Sequence, residues 1–99
     1  MDNLPEGFET IDDTLKRVKR VADEAAERVN QEKRRGWNIR YPLRVDNVYL
    51  ALGLYGDVSV RVVMRQAADR TGDLTSFLRL YIQERLPEVG AYLDIDFDW

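Results

Sequence analysis

The sequence predicts a mainly α fold with a small β component, on three observations. Apolar side chains recur four and three apart between positions 11 and 29, and a second amphipathic stripe runs from 77 to 86. Only two short stretches, 37–41 and 93–98, alternate with the period of a strand. The expected order is a long N-terminal helix, a short strand, three further helices and an acidic C-terminal strand or tail. At 99 residues the chain suits a single domain. Within it we expect an acidic arm over 1–9, the long helix over 10–35, a strand-plus-helices core over 36–86, and an acidic strand or tail over 87–99.

The first helix is announced by Thr10 and Asp13, which stand as in a capping box with Asp in the place of Glu. Ile11, Leu15, Val18, Ala22, Ala25 and Val29 follow at heptad spacing. Such a narrow seam either lies on its own domain or pairs with a second copy. Asp12–Lys16, Asp13–Arg17 and Glu24–Arg28 are acid-before-base pairs one turn apart, which support the helix. Gly36 ends it.

In "WNIRY", Trp37, Ile39 and Tyr41 face one way while Asn38 and Arg40 face the other. Pro42 has no donor for a ladder, so the strand is expected to stop there and a helix to begin. Val45, Val48, Leu52 and Tyr55 stand at roughly helical spacing over 43–55, and Gly56 closes that element. Residues 58–63, "VSVRVV", are open to two readings: the four valines favour a strand, yet Val60, Val63, Ala67 and Thr71 continue a helical stripe. We take a helix over 58–71. Phe77, Leu78, Tyr81, Ile82 and Leu86 then mark an amphipathic helix stopped by Pro87. At the end, Leu93, Ile95, Phe97 and Trp99 alternate with Asp94, Asp96 and Asp98.

Composition removes several classes of chemistry. The chain has no cysteine and no histidine, so it lacks disulfides, thiolate nucleophiles, imidazole acid/base groups and the usual zinc ligands. No enzymatic activity, cofactor or metal is expected; Asp94, Asp96 and Asp98 have the spacing of a calcium loop but not its glycine or closing Glu. The longest apolar run, "VYLALGLY", has eight residues, far short of the roughly 20 that cross a bilayer. The acidic start lacks a signal-peptide pattern. We expect a cytoplasmic protein without membrane contact.

The net charge of −3 conceals a segregation: residues 1–13 carry −5, 14–44 carry +6, 45–86 balance, and 87–99 carry −4. A basic middle thus stands between acidic ends, and a local basic segment favours nucleic acid.

"WNIRYP" resembles the strand of ribbon-helix-helix repressors of the Arc type, in the order aromatic, Asn, aliphatic, Arg, apolar, Pro. The resemblance covers 37–71 and implies a ribbon over 37–41, helices over 43–55 and 57–71, and a turn at Gly56. It implies a homodimeric transcriptional regulator whose paired strands enter the major groove of double-stranded DNA. Asn38 and Arg40 would then touch base edges, as Asn suits adenine and Arg suits guanine. Lys33, Arg34, Arg35 and Arg44 would meet phosphates. Asp57 stands where a phosphate would approach the turn, with Ser59 and Arg61 near enough to compensate.

A second reading uses the same strand differently. Residues 37–41 could pair with 93–98 inside one chain, setting Arg40 across from an aspartate. The ribbon would then be a structural edge. Alternatively the C-terminal segment is an exposed acidic and aromatic tail, and the protein is an acidic partner-binding inhibitor or adaptor that docks through its helical faces and through Asp94, Asp96, Phe97, Asp98 and Trp99.

Overall fold

The computed structural model describes residues 11–98. The expected acidic arm, the capping Thr10 and the terminal Trp99 lie outside them. Six elements follow in order: α1 (Ile11–Glu32), β1 (Asn38–Leu52), β2 (Val58–Ala68), α2 (Asp73–Arg85), α3 (Pro87–Gly90) and β3 (Leu93–Asp98). The strands form one sheet in the order β1-β2-β3, with β1 antiparallel and β3 parallel to the central β2. This corrects the expected mainly α fold: the chain is an α/β fold whose strands run 15, 11 and 6 residues.

The long helix forms nearly as its spacing predicts, and its seam faces the protein's own sheet. Val18, Ala22, Ala25 and Val29 are fully buried, together with Thr14 and Ala26 beside them. Asp12 and Lys16 pair at 3.4 Å, whereas Arg28 reaches forward to Glu32 at 3.3 Å. Arg17 spans to Glu88 at 3.5 Å, tying α1 to α3. Lys33 adopts a left-handed conformation (φ 46°), and its N–H still donates to the Val29 carbonyl at 3.0 Å. That single residue turns the chain out of the helix.

The two expected helices over 43–55 and 58–71 are strands, and the reason is physical. Beyond Ile39 and the break that follows it, buried or core-packed residues in β1 are Leu43, Val45, Val48 and Leu50; in β2 they are Val60, Val62, Met64 and Ala67. Each series alternates by two except for one step of three, at Val45–Val48 and at Met64–Ala67. Both exceptions fall where the register shifts, between Val45 and Asn47 and around Gln66, which has φ 78°. An inserted residue puts the next side chain back on the core face, and in sequence that reads as a helical i, i+3 step. Val45 and Val48 flank the irregularity of β1, and the valines of β2 precede the one at Gln66, where β-branched side chains suit a pleated surface.

Pro42 does not end the strand either. It stands in a bulge over 40–43, where β1 has no partner on β2 between Ile39 and Arg44; the Tyr41–Pro42 peptide there is cis. Leu43 is inside this gap, and the Asn30 side chain satisfies its backbone: Leu43 N–H donates to Asn30 Oδ1 at 2.7 Å, and Asn30 Nδ2 donates to Leu43 O at 2.9 Å. A side-chain amide from α1 thus takes the place of a neighbouring strand.

The β1–β2 hairpin closes through Gly53–Asp57. Gly53 N–H donates to Asp57 O at 2.7 Å and Gly56 N–H to Gly53 O at 3.1 Å, with Gly56 at φ 81°. That is a turn ending on a left-handed glycine, a conformation an L side chain strains to adopt.

All three helices lie on one face of the sheet. Val60, Val62 and Met64 at the centre meet Leu74, Leu78 and Ile82 of α2, the α1 seam, and Leu93 and Ile95 of β3 in one core. Asp69 begins α2 without being its N-cap residue: its carboxylate accepts from Gly72 N–H at 3.1 Å, Leu74 N–H at 3.4 Å, Thr75 N–H at 2.8 Å and the Thr75 hydroxyl. Partial burial would raise its pKa, but these donors outweigh it and hold the carboxyl below its ordinary 3.8.

Asp69→Ala should therefore cost about 1–2 kcal/mol in urea unfolding, since it leaves several donors at the helix start unmet. The contribution is complete above the unfolded-state pKa and disappears as pH falls through the lower folded value. The stability gap between the native protein and Asp69→Asn should accordingly narrow below about pH 4.

Candidate nucleic-acid interface

Residues 33–44, "KRRGWNIRYPLR", contain five cations and no acid. They run from the end of α1, through the turn, into the first half of β1, and Lys33, Arg34, Arg35, Asn38, Arg40 and Arg44 are all exposed. In a chain of net charge −3, this corner is a local concentration of positive charge.

Aromatic rings stand among the cations. The Arg34 guanidinium lies 5.2 Å from the Trp37 ring centre and 5.0 Å from that of Phe77. Trp37 meets Phe77 edge-on at 5.3 Å, and Phe77 stacks near Tyr81 at 6.5 Å. Arg85 lies 3.5 Å from the Tyr81 ring centre, and Lys33 Nζ is 5.5 Å from that of Tyr41. Arg34 also pairs with Glu32 at 2.8 Å, which orients it between the rings. Arg34, Arg35 and Trp37 form one wall, and Ser76, Phe77 and Leu80 the other, of an open pocket of about 520 Å³ with Asp73 at its edge. The arrangement offers donors to phosphate oxygens and ring faces to bases.

Of the remaining sequence-predicted residues, Asn38 and Arg44 continue this corner onto the open face of the sheet, whereas Ser59 and Arg61 stand apart from it. Asn38 stands opposite Ala68, and Arg44 opposite Arg65, on the sheet face away from the helices. Ser59 and Arg61 are on that face too, but nearer the hairpin turn, opposite Ala51 and Tyr49. Arg61 is held by Asp96 at 3.3 Å and Asp94 at 3.6 Å. Arg65 is held by Asp46 at 2.8 Å and Asp98 at 3.7 Å. The Tyr49 hydroxyl against Arg61, then Asp96 and Asp94, raise the Arg61 pKa; hydrogen bonding to Asp46 does the same for Arg65.

The aspartates considered for partner docking are thus tied to arginines of the central strand. Ile95 is buried and Phe97 packs against the core. The segment 93–98 pairs with β2 and not with 37–41, and its aspartates meet Arg61 and Arg65. Among the described residues, no cluster of carboxylates could hold a metal ion, and no helix is long and apolar enough to cross a membrane.

Sequence reasoning missed the α2 side of the corner. Phe77 and Tyr81 belong to the stripe assigned to the core, yet only Leu74, Leu78 and Ile82 are fully buried. Leu80, outside the stripe and 57% exposed, was the available signal that α2 has an uncovered apolar flank. Compared with protein-family models, curated proteins and solved structures, the chain finds no match in any of the three.

Replacing Phe77 with Leu keeps the apolar bulk and removes the ring that meets Arg34 and Trp37. Chemical denaturation should show a loss of about 1 kcal/mol.

Proposed function

We propose that this is a small DNA-binding regulatory protein of the cytoplasm whose contact surface is the α1–β1 corner. The observation that carries the reading is the run of five exposed cations without an acid, set against aromatic side chains. In this reading Lys33, Arg34, Arg35 and Arg44 meet phosphates, and Asn38 and Arg40 meet base edges on duplex DNA. The helices implied by the ribbon-helix-helix resemblance are strands here, so the reading rests on the charges and rings of the corner.

A protein partner is the second reading, favoured by a different observation: Leu52, Leu54 and Tyr55, at the hairpin turn, are 73%, 98% and 96% exposed. Large apolar side chains in such numbers mark contact surfaces.

Fluorescence anisotropy with labelled duplex and single-stranded DNA, at two salt concentrations, tests the proposal. Duplex binding should weaken with salt at a log–log slope of about −4, as expected for four or five phosphate contacts. Lys33→Glu combined with Arg35→Glu should weaken binding at least about tenfold and flatten the slope by about 2. Arg61→Gln, whose partners are Asp94 and Asp96, should leave binding unchanged. Absence of duplex binding, or equal loss in the Arg61 variant, would overturn the assignment; preference for single strands would move it to a stacking mode.

A further inference from the structure

We infer that the free edge of β1 over residues 47–52 is an interface with a second copy of this chain, formed by antiparallel strand pairing. The inference does not rest on DNA binding.

It starts from which backbone groups point outward. Gly53 and Asp57 are a hydrogen-bonded pair at the turn. Opposed residues in an antiparallel ladder alternate between bonded and non-bonded pairs. Counting back along the regular register, Ala51–Ser59, Tyr49–Arg61 and Asn47–Val63 direct their polar backbone groups at one another. Leu52, Leu50 and Val48, opposite Val58, Val60 and Val62, therefore direct theirs away from β2, to an edge that no strand of the described residues covers.

The two halves of that edge differ. Residues 38–46 carry the devices that discourage strand addition: Pro42, two register irregularities, three charged side chains, and Asn30 occupying the backbone of Leu43. Residues 47–52, "NVYLAL", have no charge, no proline and no irregularity. Most of the exposed large apolar side chains of the described residues, namely Tyr41, Tyr49, Leu52, Leu54 and Tyr55, belong to β1 or its turn.

A second copy is the occupant that fits. An uncharged edge has nothing to select a charged partner strand, whereas the segment is complementary to itself. With a two-fold axis normal to the sheet at Leu50, Leu50 lies opposite its counterpart and Val48 opposite Leu52 of the second copy. All three outward residues are then used, in about six hydrogen bonds. Tyr49 falls opposite Ala51 of the second copy, a large side chain against a small one. Leu54 and Tyr55, in the turn that follows Leu52, lie at each end of this pairing, beside the second copy. Six strand residues and the turn from each copy bury on the order of 1,200 Å² in total, the lower end for specific interfaces, so the dimer should be weak and dissociate on dilution through the micromolar range.

Sedimentation equilibrium of the intact protein from about 1 to 200 µM is the test, with Leu52→Pro and Leu52→Lys. The proline removes one outward donor without breaking a bond to β2; the lysine adds a charge and leaves the backbone intact. The native chain should move from 11.6 kDa to twice that mass with rising concentration. Both variants should stay monomeric with unchanged far-UV circular dichroism, and if the proline variant misfolds, the lysine variant decides. A native chain that is monomeric throughout overturns the proposal and leaves the edge to a strand from another protein. A dimer that survives the lysine substitution also overturns it.

Discussion

Burial of one face of the central strand is the constraint on which the rest depends. Val60, Val62 and Met64 are almost completely removed from water, each contributing roughly 1.5–3 kcal/mol as an upper estimate. No single neighbour covers them. The α1 seam, three residues of α2 and the apolar side of β3 must all be present, so β2 couples the two ends of the chain. The same strand pairs with both others, and its register therefore fixes which side chains of β1 and β3 reach the open face.

That register explains the distribution of charge. Parallel pairing sets Arg61 beside Asp94 and Arg65 beside Asp98, and Asp46 reaches Arg65 from the other side. Such exposed pairs contribute little to stability individually. Their effect is to spend the acids of the C-terminal strand on the arginines of β2. The cations between 33 and 44 precede or lie on β1, the outer strand across the sheet from β3. An acidic protein thereby keeps one basic corner, and the rings of Trp37 and Phe77 give that corner shape.

Parts of this were legible in the sequence and parts were not, for identifiable reasons. The α1 seam, the α2 stripe and the alternation of β3 appear as their spacing predicts, because each is regular throughout. The hairpin was hidden because its pairing is irregular in two places, at Asp46 and where residues 40–43 stand opposite Gln66. Val45–Val48 and Met64–Ala67 imitate helical steps, and Pro42, read as a stop, occupies a gap in the ladder. The candidate corner was half visible. Its cations are contiguous in sequence, but Phe77 and Leu80 join them only through the docking of α2. Asp69, four residues ahead of the helix it caps, follows no local capping pattern at all.

The central claim is that the basic corner, and not the part of the open sheet face around Arg61, Asp94 and Asp96, receives the ligand. Amide chemical-shift mapping on the isotope-labelled protein during titration with duplex DNA tests it most directly. The account predicts shifts concentrated over residues 33–44 and on the exposed flank of α2 around Ser76 and Leu80, with Ser59, Arg61, Asp94 and Asp96 unmoved. Shifts centred on those four residues, or no shifts at saturating duplex, would contradict it.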